Sequence, residues 1–178
     1  MIFNSGTFLL FLPLVFIIYW SLNRSKLAFQ NIFLLMASYT FYGWWDYRFL
    51  TLIVFSTVVD FIIGNQIYKS AEQKTKKRLL QLSIVVNIGL LGFFKYFNFF
   101  IDSAQYALNS TGFSIDTWSL NIILPVGISF YTFQTISYSI DIYKGKLKPT
   151  SNLISFAVFV SFFPQLVAGP IELSLIHI

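Results

Sequence analysis

The distribution of apolar residues constrains this chain more than any single motif does. Five nearly uncharged stretches are each about 20 residues long, the length that an α-helix needs to cross the hydrocarbon core of a bilayer. A sixth stretch has a similar composition but is shorter. The predicted membrane spans are 3–22, 27–45, 49–67, 79–101, 120–143 and 153–168. The sequence therefore predicts an all-α integral membrane protein that folds as a polytopic helical bundle.

Composition supports this fold class and excludes several kinds of site. Hydrophobic residues make up 56% of the 178 residues and charged residues 11%, whereas a soluble domain carries about 25% charged residues. The chain has no cysteine and one histidine, which excludes disulfides and thiolate metal sites and predicts that no metal is bound. We interpret the net charge of +5 as a topology signal, and we predict no nucleic-acid partner.

The basic residues alternate between loops. All but two of the 12 lysines and arginines lie in three loops, at 23–26, 68–78 and 144–152. The intervening loops hold Asp46 with Arg48, and Asp102 with Asp116. Cytoplasmic loops are enriched in Lys and Arg, so the pattern predicts cytoplasmic basic loops and an extracytoplasmic N-terminus in a cell (inner) membrane. The first span lacks a basic leader region and is predicted to be retained.

Asp60 lies near the middle of the third predicted span. An aspartate at this depth costs about 2.5–3.5 kcal/mol on insertion scales, so it requires either a partner or a hydrated cavity. One interpretation is a functional or proton-relay residue that lines such a cavity. The other is a protonated Asp60 that hydrogen-bonds a neighbouring helix and serves packing. The sequence leaves both interpretations open.

The fifth span, "ILPVGISFYTFQTISYSIDIY" (123–143), is unusually polar. At 100° per residue, one polar face holds Gln134, Ser137, Tyr138 and Asp141, and another holds Thr132, Thr135 and Ser139. A helix polar on this much of its circumference is surrounded by protein or lines a cavity. Hydroxyl groups that only join helices are the alternative, and they account for Gln134 and Asp141 less well.

The sixth stretch contains Pro164 and ends near Gly169-Pro170. Proline removes a backbone donor and clashes with the preceding turn, and broken backbone at membrane depth needs protein or water to satisfy it. We therefore predict a kinked or re-entrant segment beside a cavity. The candidate pore-lining residues are Asp60, Gln134, Tyr138, Asp141, Pro164 and Gln165.

Two long motifs carry a family resemblance. The segments "LPVGISFYTFQTISYSIDIYKGKLKP" and "FAVFVSFFPQLVAGPIE" resemble the membrane-bound O-acyltransferase family, in particular its bacterial alginate O-acetyltransferase branch. The opening "FNSGTFLLFLPLVFIIYW" and the segment "ASYTFYGWWDYRFLTLIVFSTVVDFIIG" are also similar to that branch. The resemblance covers residues 1–172.

The resemblance implies a fold of about ten or more spans around a central pore, of which this chain is the N-terminal part. It implies transfer of an acyl group, acetyl above all, from a cytoplasmic donor such as acetyl-CoA to hydroxyl groups of an extracytoplasmic polysaccharide. A secreted or periplasmic acyltransferase partner is also implied, and no bound cofactor. The family's catalytic histidine is expected in a missing C-terminal half, so the chain alone is predicted to be inactive.

The tail 173–178 departs from the family pattern and carries His177, the one histidine. Its six residues can be encoded by a transposon end used in sequencing adapters, which predicts a non-native tail. The alternative is a coincidence of common residues.

Two other functions stay open at this stage. Asp60, the polar fifth span and the broken sixth stretch also suit a membrane transporter or channel with a polar intramembrane pathway. A lipid-linked glycosyltransferase would need an acidic outer loop, for which Asp102 and Asp116 give little support.

Overall fold

A computed structural model describes residues 5–22, 27–44, 46–110 and 127–168. Within these ranges the chain is helical and contains no strand, which confirms the all-α prediction. The helices are α1 (Gly6–Ser21), α2 (Leu27–Gly43), α3 (Tyr47–Lys69), α4 (Gln73–Ser110), α5 (Ile128–Tyr143), α6 (Leu153–Ser161) and α7 (Phe163–Ala168). Each predicted apolar stretch overlaps one of these helices, and the last overlaps two. Several residues discussed above lie outside the described ranges: the basic loop 23–26, Asp116, 120–126, Gly169, Pro170 and the tail with His177.

Side-chain caps explain where three helices begin. The Ser5 side chain accepts a hydrogen bond from the backbone N–H of Phe8 (3.3 Å) before α1. Asp46 caps α3 and Asn152 caps α6, each by accepting from backbone N–H groups in the first turn of its helix. Such caps satisfy donors that have no partner within the helix. The helix starts are therefore encoded locally.

The helix α3 is central, because it packs against α2, α4, α5 and α6. Two hydrogen bonds bring the basic segments together at one end of the bundle: Gln73 Nε2 donates to Tyr143 Oη (3.0 Å), and Asn65 Nδ2 donates to the Thr150 carbonyl (3.4 Å). We call this end, which includes residues 69–78 and 144–150, the lysine-rich end. At the opposite end the rings of α1, α2 and α7 meet, with Phe41 and Phe163 centroids 5.3 Å apart.

The basic segment 68–78 is more helical than the predicted loop. Only residues 70–72 lie between α3 and α4, and Glu72 holds this short turn by accepting from Thr75 Oγ1 (2.6 Å) and Lys76 N (3.1 Å). The helix α4 also extends beyond the predicted stretch 79–101 at both ends. The reason is physical: hydropathy marks the part of a helix that suits lipid, whereas polar residues continue the helix outside it.

The surface of the bundle suits a membrane rather than water. Two helical segments, Tyr47–Lys69 and Gln73–Ser103, are long and apolar enough to cross a bilayer. Large apolar side chains are exposed on the outside, such as Leu10 on α1 (75% exposed) and Val85 on α4 (68% exposed). The two long apolar helices and the exposed apolar side chains are consistent with a membrane protein.

Candidate functional site

Asp60 is fully buried in α3 and is bound by two side chains from α4. Ser83 Oγ donates to Asp60 Oδ1 (2.8 Å), and Asn87 Nδ2 contacts both carboxyl oxygens (2.8 and 2.9 Å). Asn87 Nδ2 also donates to the Ser83 carbonyl (3.0 Å), which fixes the orientation of the amide. The carboxyl group is therefore held by the neighbouring helix.

The network continues into α5. Thr135 Oγ1 donates to Asn87 Oδ1 (3.2 Å), and Ser83 Oγ lies 3.2 Å from Ser139 Oγ. From α3, Ser56 Oγ lies 3.2 Å from Asn87 Oδ1. We call this set the Asp60 cluster: Ser56, Asp60, Ser83, Asn87, Thr135 and Ser139. Each member is at most 1% exposed, so the cluster joins three helices and is closed on all sides.

The sequence places two cluster residues on each helix with the same spacing. The pairs are four residues apart, as in Ser83 and Asn87 on α4, and residues at this spacing share a helix face. The sequence pattern indicated Asp60, Thr135 and Ser139 but not the other three members. The signal that could have found them is a pair of polar residues four apart inside an apolar stretch. Among the described residues, no group of three or more His, Cys, Asp or Glu could hold a metal ion.

Gln134 donates a hydrogen bond to the backbone at a break between α6 and α7. In an uninterrupted helix the Phe163 N–H would donate to the Phe159 carbonyl, but the chain leaves the helix at Phe162 (φ −59°, ψ 108°). Instead, Gln134 Nε2 donates to the Phe159 carbonyl (3.0 Å), and Ser38 Oγ lies 3.4 Å from Phe163 N. Neighbouring helices thus satisfy both groups that the break leaves without their helical partners, as broken backbone in a membrane requires.

The structure does not gather the six candidate residues in one place. Pro164 and Gln165 are half-buried in the first turn of α7, where Gln165 N donates to the Phe162 carbonyl (3.1 Å). Asp141 is half-buried near the end of α5, and its carbonyl accepts from Lys146 N (2.9 Å). The other candidate residues thus lie at a helix break, near a helix end and in a buried cluster. Tyr138 lies at a fourth location.

Tyr138 lines a half-open cleft of about 230 Å³ at the lysine-rich end. The cleft lies between α5, α6 and the segment that connects them. Its apolar walls come from Tyr138, Leu147, Phe156 and Phe159, and its polar residues are Lys148, Thr150 and Ser155.

Close packing fixes Tyr138 at this position. A Cβ atom at Gly64 of α3 would lie 2.9 Å from Tyr138 Cε1, so glycine is what makes room for the ring. On the other side, the Phe156 ring centroid is 4.7 Å from that of Tyr138. The Tyr138 hydroxyl is buried near the backbone of Thr150 without a hydrogen bond of ordinary geometry. Closely packed aromatic rings therefore form part of the cleft wall.

Similar proteins are O-acetyltransferases by name. A protein of Pseudomonas aeruginosa named "Probable alginate O-acetylase AlgI" is 44% identical over 173 residues, which cover 96% of this chain and 32% of that protein. A protein of the same name from Pseudomonas syringae pv. tomato is 42% identical over 174 residues, covering 96% of this chain and 33% of that protein. A peptidoglycan O-acetyltransferase of Helicobacter pylori is 34% identical over 198 residues, covering 96% and 37%.

These similarities confirm the resemblance to the alginate O-acetyltransferase branch. The chain spans about a third of the length of the curated relatives that it matches. No family model matches the chain. No solved structure matches it either.

Proposed function

We propose that this chain contributes to a membrane O-acyltransferase that transfers an acetyl group from a cytoplasmic donor, such as acetyl-CoA, to hydroxyl groups of an extracytoplasmic polysaccharide. The observation that carries the proposal is similarity to proteins named O-acetyltransferases over 96% of this chain. The relatives' names give two polymers, alginate and peptidoglycan. We therefore carry over the shared chemistry, O-acetylation, and leave the acceptor polysaccharide open.

The described helices fit the structural part of such an enzyme. A donor in the cytoplasm and an acceptor outside require the acetyl group to pass through a protein that spans the membrane. The Asp60 cluster ties α3, α4 and α5 together, and the Gln134 contact ties α5 to α6. We propose that these contacts hold the helices in position around a transfer route, and that a secreted or periplasmic partner delivers the acetyl group to the polymer.

The general base is proposed to come from outside the described residues. Transfer of an acyl group to a hydroxyl needs a base that works near neutral pH, and histidine is the usual one. The one histidine of the sequence, His177, lies outside the described ranges. We therefore expect the 178-residue chain on its own to transfer no acetyl group.

A transporter is less well supported. A polar pathway through the membrane needs an opening, but every member of the Asp60 cluster is at most 1% exposed. Because the cluster satisfies its own hydrogen bonds, it resembles a structural joint more than a permeation site. The geometry therefore favours a structural role for the cluster, and the acyltransferase proposal rests on the similar proteins.

Gene deletion tests the proposal directly. In a host that carries the intact gene, deletion should remove ester-linked acetate from the exported polysaccharide while the amount of polymer persists. The measurement is alkali-released acetate per unit of purified polymer, with complementation by the same gene as the control. Unchanged acetate after deletion, in a host without a second copy, would contradict the proposal.

A further inference from the structure

We propose that the cleft at the lysine-rich end binds the phosphate headgroup of one anionic phospholipid. The inference does not depend on the acetyltransferase proposal, because it rests on the residues that line the cleft and on the charge around it. The required ligand chemistry is a phosphate that is joined to an apolar chain.

The polar side of the cleft consists of hydrogen-bond donors. Lys148 carries a cationic ammonium group with three N–H donors. The Thr150 hydroxyl accepts from Asn152 N (3.2 Å), and the Ser155 hydroxyl accepts from Asn31 Nδ2 (3.1 Å). Because each hydroxyl oxygen is the acceptor in its bond, its O–H proton remains available to a ligand. No carboxylate is among the residues that line the cleft, so the site suits an anion.

The apolar side determines what the anion is attached to. Leu147, Phe156 and Phe159 present hydrocarbon surface next to the donors, and a free inorganic anion would leave this surface uncovered. The cleft is half-open and has a volume of about 230 Å³, far more than the ~10–15 Å³ that one water needs on this measure. It therefore has room for a phosphate group.

The surrounding charge strengthens the preference for an anionic lipid. The described basic residues at this end are Lys69, Lys74, Lys76, Lys77, Arg78, Lys144, Lys146 and Lys148, and Glu72 is the acidic residue in the same segments. Basic residues beside a membrane attract anionic headgroups. Several of them also lie at the N-terminus of α4, where the helix dipole already favours negative charge. The cleft is thus a concave place within a basic surface of the described residues.

The cleft is preformed by the connection between α5 and α6. Gly145 adopts a left-handed conformation (φ +72°) that ends α5, and the Asp141 carbonyl then accepts from Lys146 N and Leu147 N (2.9 and 3.3 Å). Asn65 Nδ2 ties the Thr150 carbonyl to α3 (3.4 Å). The backbone around Lys148 is therefore held at both ends before any ligand arrives.

Native mass spectrometry of the delipidated 178-residue chain in a neutral detergent tests the proposal. Titration with phosphatidylglycerol should give one saturable adduct, and phosphatidylcholine should bind more weakly. Lys148→Gln should weaken phosphatidylglycerol binding about fivefold, the effect expected for one lysine at an anionic surface, and Lys148→Arg should retain it. Lys146→Gln is the matched control, because Lys146 is exposed in the same connection but does not line the cleft.

Three outcomes would overturn the proposal. Equal binding of the two lipids would exclude an anion site, and equal effects of Lys148→Gln and Lys146→Gln would place the lipid elsewhere. Displacement of the lipid by glycerol 3-phosphate or coenzyme A at equal concentration would assign the cleft to a soluble phosphate compound. If Lys148→Gln does not yield monodisperse protein, phosphatidylglycerol with a photoreactive group near its headgroup should crosslink residues 147–159 of the unaltered chain. Crosslinks confined to other residues would contradict the assignment.

Discussion

At the residue scale, Asn87 is the member of the Asp60 cluster with the most contacts. Its amide nitrogen donates to the carboxyl group of Asp60, and its amide oxygen accepts from Thr135 and lies within reach of Ser56. An acidic side chain inside a membrane is costly unless it is paired or hydrogen-bonded. Asn87 therefore supplies much of what allows Asp60 to be fully buried.

We expect Asn87→Leu to destabilise the folded chain. The substitution roughly keeps the side-chain volume but removes the amide that contacts both carboxyl oxygens of Asp60 and accepts from Thr135. A buried polar group that loses its partner costs about 1–3 kcal/mol. Membrane proteins often show the lower end of this range, because alternative partners are found. The measurement is the apparent melting temperature of purified protein by fluorescence-detected size-exclusion chromatography.

The control for this prediction is Asn109→Leu on the same helix. Asn109 is exposed, so its substitution should change the stability by no more than about 0.5 kcal/mol. Equal shifts for the two variants would mean that the Asp60 cluster contributes nothing specific to stability. A stable Asn87→Leu protein whose acetyl transfer is lost in the full-length protein would instead favour the functional interpretation of Asp60.

At the element scale, the break between α6 and α7 divides a short apolar segment into two helices. Pro164 cannot donate a backbone hydrogen bond, and the polar groups at the break are satisfied by Ser38 of α2 and Gln134 of α5. The sequence predicted a kink at this segment from the proline. It could not predict the partner of Gln134, because the Phe159 carbonyl becomes available only where the helix is interrupted, far along the chain.

The same distinction applies to the other elements. Apolar stretches about as long as a bilayer is thick predict helices without knowledge of packing, and the caps Asp46 and Asn152 are local signals. The Asp60 cluster, in contrast, depends on which faces of three helices meet, and the position of Tyr138 depends on Gly64 of another helix. A single sequence predicts tertiary contacts of this kind only weakly. The one signal here is the pairs of polar residues that lie four residues apart.

We expect Gln134→Leu to destabilise the packing of α5 against α6. The substitution leaves the Phe159 carbonyl without its side-chain donor, at a cost of about 1 kcal/mol for a partly buried hydrogen bond. The measurement is the loss of monodisperse protein after heating, compared with Gln66→Leu, which alters an exposed glutamine on α3. A Gln134→Leu protein as stable as the Gln66→Leu protein would show that the break needs no donor from α5.

At the scale of the whole molecule, charge distinguishes the two ends of the bundle. The basic residues of 69–78 and 144–148 gather at the lysine-rich end, where Gln73 contacts Tyr143. At the opposite end, Arg48 is paired with Asp46 (Nε to Oδ1, 3.3 Å). Two basic segments that were separate in the sequence thus share one end of the fold, so a single orientation places both on the cytoplasmic side, as the positive-inside rule favours.

Single cysteines can test this orientation, because the native chain has none. We choose Ala71 and Ser151 at the lysine-rich end and Ser103 on the distal part of α4, all of which are exposed. With α4 rising about 1.5 Å per residue, Ser103 lies about 45 Å along the helix from its start, more than the thickness of the hydrocarbon core. An impermeant thiol reagent added to intact cells, or to spheroplasts where an outer membrane intervenes, should therefore label the Ser103→Cys protein alone. After the cells are lysed, all three proteins should be labelled, which controls for reactivity. Labelling of Ala71→Cys and Ser151→Cys in intact cells, with Ser103→Cys protected, would show the opposite orientation. Labelling of only one of the two lysine-rich positions would show that these segments do not lie on the same side of the membrane.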